Sequence, residues 1–487
     1  MLSISDWGAQ IWRWRRQGGP CGVLAPLNAT TLRHLLFPAG RPRARGGCAA
    51  AFPRVTQVER HAALARAIAE VAWRAGGGVK GTLAALNPDA PELANVADLL
   101  RGGVPHHDAA AVAKLEVATG VVSSSDALAR LVVTREARSL PELVTLAARW
   151  AAPSLLSGAG ALLVLLSAVL SRGGAEACAA DRDPDDQASS LVTLPFGHCG
   201  QEVVGLMLTG RCVSNVFDGD MDVGGGLLLK GVSGDVEVGF LTLLESLSYC
   251  TVGDFLKHPR WPVWVVGSES HYTVVLSLAP LAGAGLGGGA DQDAAGQFER
   301  KLRRAFDAKD TGGGGFVAPE VLPAILEEGK LAMTDAQRLA LGESGIVLWA
   351  DFIAKARELA GFAADDAESA QDRQELRLTL WHLNGLAKPA GSGSGASSGG
   401  AAADSSAAAQ PMPRAVRIEL VVPPKFSATA ADADLAEALR RSAAEAATGG
   451  AGAPAAAEVH SQLSDVLRTR WPRARCSWEG AEKPSLN

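Results

Sequence analysis

The chain has 487 residues, 47% of them hydrophobic and 20% charged, enough to bury a large core in one domain with insertions or in roughly two to three smaller ones. A formal net charge of −6 leaves no broad cationic surface for a phosphate backbone, which argues against nucleic acid as a partner. The cysteines at 21, 48, 178, 199, 212, 250 and 476 form neither a disulfide framework nor a CxxC pair, the pattern of a reducing compartment, cytoplasmic or nuclear.

In chain order, "MLSISDWGAQIWRWRR" (1–16) lacks the apolar core and small-residue cleavage site of a secretory leader. Next comes "RRQGGPCGVLAP" (15–26). Pro20 suits the first position of a helix, and Val23, Leu24, Leu27, Leu32, Leu35 and Leu36 follow at the spacing of a buried helical stripe. Cys21 then falls in the first turn, where unpaired N–H groups and the helix dipole favour a thiolate. Two readings stand: a nucleophile, or a small buried residue after a tight Gly-Pro turn. Gly18 and Gly19 add that another backbone can approach closely.

Residues 153–171 carry no charge, the length of a marginal membrane span. The segment also contains Ser154, Ser157, Gly158, Gly160 and Ser167 and lacks charged anchors on both sides, so a buried central helix is expected. "RWPVWVVGSESHYTVVLSL" (260–278) reads as a β-hairpin with His271 at the mouth of its second strand, sharing a face with Thr273 and Val275. A histidine there is the base a cysteine nucleophile needs, or a hairpin histidine with ordinary hydrogen bonds. A strand-borne histidine beside a helix-borne cysteine is the layout of papain-like hydrolases.

Beyond residue 280, "LAGAGLGGGADQDAAGQ" (281–297) reads as a flexible break. A helix from Phe298 then runs into a calcium-loop outline beginning at Asp307. Lys309 stands in an acidic slot and Ala318 where a bidentate Glu is needed, so a helix-loop-helix without metal is expected. The strand-like runs 376–383 and 416–422 resume the sheet, with low-complexity segments at 387–413 and 447–457.

Other clusters carry less. Asp218, Asp220 and Asp222 alternate like a calcium loop, but Val223 and Leu229 stand where Gly and Glu are required. His106 and His107 lack ligand partners, His198 and Cys199 lack a second pair for zinc, and Cys250 sits in an apolar run. No metal or cofactor is expected.

Five motifs in order, "GGPCGVLAP" (18–26), "LMLTGRCVSNVFDGD" (206–220), "VGFLTLLESLSYCTVGDFLK" (238–257), "PVWVVGSESHYTVV" (262–275) and "TRWPRARCSWEGAEKPSLN" (469–487), resemble the MINDY family of cysteine deubiquitinases. Within it they are similar to the branch of the third and fourth members, and the EF-hand-like insertion points to the third.

The resemblance implies an α+β, papain-like fold that hydrolyses the isopeptide bond after ubiquitin's C-terminal Gly, with a preference for lysine-48-linked polyubiquitin. Cys21 matches the nucleophile and His271 the general base. The family's pattern puts a glutamine six residues before the cysteine as an oxyanion donor, where this chain has Arg15. Gln17 is the substitute donor, and the alternative is a ubiquitin-binding pseudoenzyme that has lost this group. Gly18 and Gly19 would line a channel for ubiquitin's tail. Asn215 and Asp218 are open between a turn and a ubiquitin contact, and they and Glu269 are the groups with the chemistry to orient His271. The organisation expected is a catalytic core over 1–280, an EF-hand-like insertion without metal over 298–365, and C-terminal elements over 372–386 and 414–487 that complete the core. The expected partners are ubiquitin and polyubiquitin, with no membrane.

Overall fold

The computed structural model describes residues 21–37, 55–87, 89, 131–152, 160–193, 198–269, 271–278, 294–307, 309–310, 315–342, 345–361, 375–384, 414–422, 461–478, 484 and 486. Helix α1 spans Cys21–Leu36 and starts at the expected residue. The stripe is fully buried, but so is every other residue of the helix except Arg33 and His34. An all-round apolar surface marks a central helix rather than an amphipathic one. The buried hydroxyls of Thr30 and Thr31 donate to the carbonyls of Pro26 (2.9 Å) and Leu27 (2.7 Å), so they cost little where no water reaches. Arg33 and His34 complement the helix C-terminus and bind Glu237 (2.8 Å) and Glu70 (3.1 Å) respectively.

Helix α2 (Gln57–Ala75) begins at a capping box between Thr56 and Glu59. Strands β1 (Gly81–Leu86) and β2 (Val132–Ala137) pair antiparallel. Helix α3 (Gly160–Arg172) falls within the apolar segment that resembled a membrane span. No described helix is long and apolar enough to cross a membrane. The serines of α3 have a structural use: Ser167 and Ser171 Oγ accept the N–H groups of Ala84 (2.9 Å) and Thr82 (2.8 Å), closing an edge of β1 that would otherwise bury unpaired donors.

Arg172, at the end of α3, grips Asp181 through two hydrogen bonds of 2.6 Å each. Arg211 Nε (3.1 Å) and the Cys212 N–H (3.0 Å) complete the carboxylate's partners. Burial by itself pushes this carboxyl pKa up, but the Arg172 hydrogen bonds, the Cys212 N–H and the neighbouring positive charge outweigh it and hold the value below the ordinary range. Asp181→Ala is therefore expected to cost about 3 kcal/mol in urea unfolding at pH 7, because it strands buried donors. A carboxyl depressed in the folded state stabilises above its unfolded pKa, about 3.9, and loses that contribution as pH falls through the folded value. The gap between wild type and variant thus narrows below about pH 4.

Helix α4 (Gln201–Thr209) leads to a six-stranded sheet. Its strands are β3 (Gly239–Thr242), β4 (Val263–Gly267), β5 (Tyr272–Ser277), β6 (Leu376–Asn384), β7 (Arg414–Val422) and, after helix α5 (Gln462–Arg470), β8 (Arg475–Trp478). The order is β8-β7-β6-β5-β4-β3, antiparallel throughout except for β3 beside β4. The expected hairpin is β4–β5, and the sheet resumes across β6 and β7 as the alternating runs indicated. Strand β4 is apolar on both faces because both are covered. Val263 and Val265 pack with Ala25, Ala29 and Leu32 of α1, whereas Trp264 and Val266 pack with Leu463, Val466 and Leu467 of α5.

Residues 294–361 build a separate core around Leu302, Phe306, Ile325 and Phe352. The sequence suggested one helix-loop-helix here; the structure has two. Ala294–Asp307 and Leu322–Gly329 flank one loop, Asp335–Leu341 and Trp349–Leu359 the other, and the loops are joined by the antiparallel pairs Phe316–Leu348 and Val317–Val347. The second unit escaped notice because its loop lacks the acidic residues by which such loops are read.

Candidate active site

Cys21 opens α1 and is 6% exposed. What surrounds it is set by Gly22, whose added Cβ would lie 2.6 Å from Cys199 Cβ and 3.6 Å from the Tyr272 ring. Only a residue without a side chain lets the helix start this close to its neighbours. Tyr272 follows His271, so the cysteine and the histidine are each one residue from the point where α1 meets β5. The two residues that the sequence singled out are brought to one place.

His271 is 6% exposed and is held by its own backbone. Its N–H donates to Ser268 Oγ (3.1 Å), and its carbonyl accepts from the Ser268 N–H (2.8 Å) and hydroxyl (3.1 Å). The ring is oriented by a residue that sequence reasoning missed: Asn384 Oδ1 lies 3.2 Å from His271 Nε2. Strand register explains the encounter. Leu383 pairs with Val274, so Asn384, the last residue of β6, reaches the mouth of β5. With Nε2 donating to Asn384, Nδ1 carries the lone pair and is the nitrogen that takes a proton.

Cys199 is the second missed neighbour. Its sulfur accepts N–H groups of Gly22 and Val23, yet burial, with Cys21 beside it, pushes its pKa up to about 11. A thiol so perturbed stays protonated near neutral pH, which distinguishes it from a nucleophile. Burial, together with both cysteines and Glu202, likewise raises the pKa of the Tyr272 phenol. Cys199 also occupies two of the amides that a helix start presents, leaving the Cys21 N–H as the helix's own donor toward an oxyanion.

The other expected residues are placed differently. Arg15, Gln17, Gly18, Gly19, His106 and His107 lie outside the described residues. Asn215 donates to Asp183 (2.7 Å) and to the Lys230 carbonyl (3.1 Å). Asp218 accepts the N–H groups of Asp254 (2.8 Å) and Phe255 (3.0 Å), capping the short helix Asp254–Lys257. Glu269 is exposed in the turn before His271. None of these three is the carboxylate or amide seen on the His271 ring; that group is Asn384. Among the described residues no cluster of three or more His, Cys, Asp or Glu could hold a metal.

Residues 14–282 match the conserved domain of the deubiquitinating enzymes MINDY-3/4. The chain belongs to the MINDY-3/4 family. Among its relatives, the probable ubiquitin carboxyl-terminal hydrolase MINDY-4 of Mus musculus is 35% identical over 270 residues, 55% of this chain and 32% of the relative. The ubiquitin carboxyl-terminal hydrolase MINDY-3 of Homo sapiens is 28% identical over 396 residues, 76% of this chain and 77% of its own length. A MINDY-3 homolog of Drosophila melanogaster is 38% identical over 172 residues, 34% of this chain and 27% of the relative. The chain thus spans about a third of MINDY-4 and about three quarters of MINDY-3. No solved structure matches. The MINDY-3/4 match includes both Cys21 and His271 but ends well before Asn384.

Proposed function

We propose that this chain is a papain-like cysteine isopeptidase that hydrolyses the bond after ubiquitin's C-terminal glycine, with lysine-48-linked polyubiquitin as substrate. The observation that carries this reading is a cysteine at a buried helix start, one residue from contact with the strand of a histidine whose Nε2 is bonded to an asparagine. Cys-His-Asn is a recurrent arrangement for thiol hydrolysis. The family membership supports ubiquitin as the substrate.

The steps follow from the geometry. His271 Nδ1 takes the Cys21 proton, and the sulfur attacks the terminal glycine carbonyl. Charge gathers on the carbonyl oxygen, for which the Cys21 N–H is a donor and Gln17 the proposed second. The imidazolium then protonates the departing lysine amine, leaving ubiquitin as a thioester on Cys21. A water deprotonated by His271 attacks the thioester, releasing ubiquitin with a free carboxylate and restoring the thiol. In this reading Gly18 and Gly19 line the channel for the two-glycine tail, and Asn215 and Asp218 contact ubiquitin from the partly exposed stretch that their scaffold bonds hold in place. The alternative, a ubiquitin-binding pseudoenzyme, rests on Arg15 standing where the family has glutamine. Cleavage of lysine-48-linked tetraubiquitin by the wild-type chain supports the enzyme; binding without cleavage, with cleavage gained in Arg15→Gln, supports the pseudoenzyme.

Asn384 acts through His271, as a positioning residue. Asn384→Ala is expected to lower kcat about 10- to 100-fold with KM little changed, since the ring loses its orientation while the substrate contacts remain. Asn384→Asp, which keeps an acceptor there, should recover much of the rate. Equal losses in both variants, or a change confined to KM, would count against the role.

A further inference from the structure

The end of the sheet that carries His271 also carries an uncovered apolar ledge. Strand β3 runs parallel to β4 with Thr242 opposite Gly267, so the chain leaving β3 emerges beside the turn that positions the histidine. It forms one helical turn, Leu243–Ser246. The turn closes through Leu247 N–H to the Leu243 carbonyl (3.1 Å), Ser248 N–H to Glu245 (2.9 Å) and Tyr249 N–H to Leu244 (2.9 Å). Ser248 holds φ at 63°, a left-handed conformation uncommon without glycine. Glu245 pins the segment further by accepting the Val252 N–H (3.0 Å) and Lys257 Nζ (2.7 Å). On this fixed mount Leu243 points into the core, but Leu244, Leu247 and Tyr249 are 36%, 49% and 78% exposed. Clustered apolar side chains held rigidly in water mark an interaction surface.

We propose that this ledge binds the C-terminal tail of ubiquitin, Leu-Arg-Leu-Arg-Gly-Gly, upstream of the scissile bond. The inference rests on the functional reading above and adds the surface that grips the substrate. Reach agrees: β5 and β3 are two strand spacings apart, about 10 Å, and three residues of extended chain also span about 10 Å. That is the separation of the tail's nearer leucine from its last glycine. Charge agrees as well. Arginines flank that leucine, and exposed Glu269 stands in the turn between the ledge and His271, while Lys257, the cation on the same mount, is held by Glu245. The leucine packs on Leu247 and Tyr249, and an arginine meets Glu269.

The test is a binding titration of monoubiquitin, and of ubiquitin lacking its last six residues, against the full chain carrying Cys21→Ala, which cannot turn substrate over. Adding Leu247→Ser with Tyr249→Ser, or Glu269→Arg alone, replaces only exposed side chains; an unchanged melting temperature verifies the fold. The expected result is a loss of affinity of roughly tenfold for intact ubiquitin, and no further loss for the tail-less form, which the parent already binds more weakly. Equal affinity of parent and variants for intact ubiquitin overturns the ledge alone. A loss that persists with tail-less ubiquitin also overturns it, by placing the contact on ubiquitin's body. A parent that binds neither form overturns the functional reading and the ledge together.

Discussion

Cys21→Ala abolishes cleavage of ubiquitin chains, a fall of at least about ten-thousand-fold, while the melting temperature changes by no more than a few degrees. The argument is local. The substitution removes one sulfur from the first turn of α1 and leaves the backbone that Gly22 threads between Cys199 and Tyr272. No other thiol can take over, because Cys199, the sulfur packed nearest that turn, has its pKa raised to about 11 by burial and by Cys21 beside it. Cleavage by Cys21→Ala measured on gels at long incubation, at any rate near wild type, would remove Cys21 from the mechanism.

His271→Ala lowers the rate about a thousandfold or more, since neither the attacking sulfur nor the leaving amine then has a partner for its proton. Its fold should survive. The bonds that shape the turn are made by the Ser268 side chain and the His271 backbone, and alanine supplies the same backbone. Added imidazole is expected to restore part of the activity in this variant and none in Cys21→Ala. Failure of His271→Ala to slow single-turnover cleavage would assign the proton transfer elsewhere.

Both of these residues were legible in the sequence because each carries a local signature. Gly-Gly-Pro before an apolar run places Cys21 at a helix start, and a polar turn between two apolar runs places His271 at a strand mouth. Asn384 carries no such signature. It lies 113 residues from His271 in sequence and comes to it only through the register of β6 on β5, which sequence patterns do not specify across a long insertion. The acidic and amide groups nearer in sequence drew attention instead, yet Asn215 and Asp218 make their observed bonds within the scaffold. Cys199 was hidden for a related reason: its partner is the bare backbone of Gly22, which leaves no mark on the cysteine's own neighbourhood. Helix α1 also shows the limit of reading a stripe. Its apolar positions were identified, but Thr30 and Thr31, polar by type, are buried by turning their hydroxyls onto the preceding turn.

The most direct test of the central claim is to incubate the wild-type chain with ubiquitin bearing an electrophile at its C-terminus and to map the adduct by peptide mass spectrometry. The account predicts one ubiquitin per chain, attached at Cys21, with no adduct in Cys21→Ala. An adduct on Cys199 or any other cysteine, or no adduct at all, would contradict it.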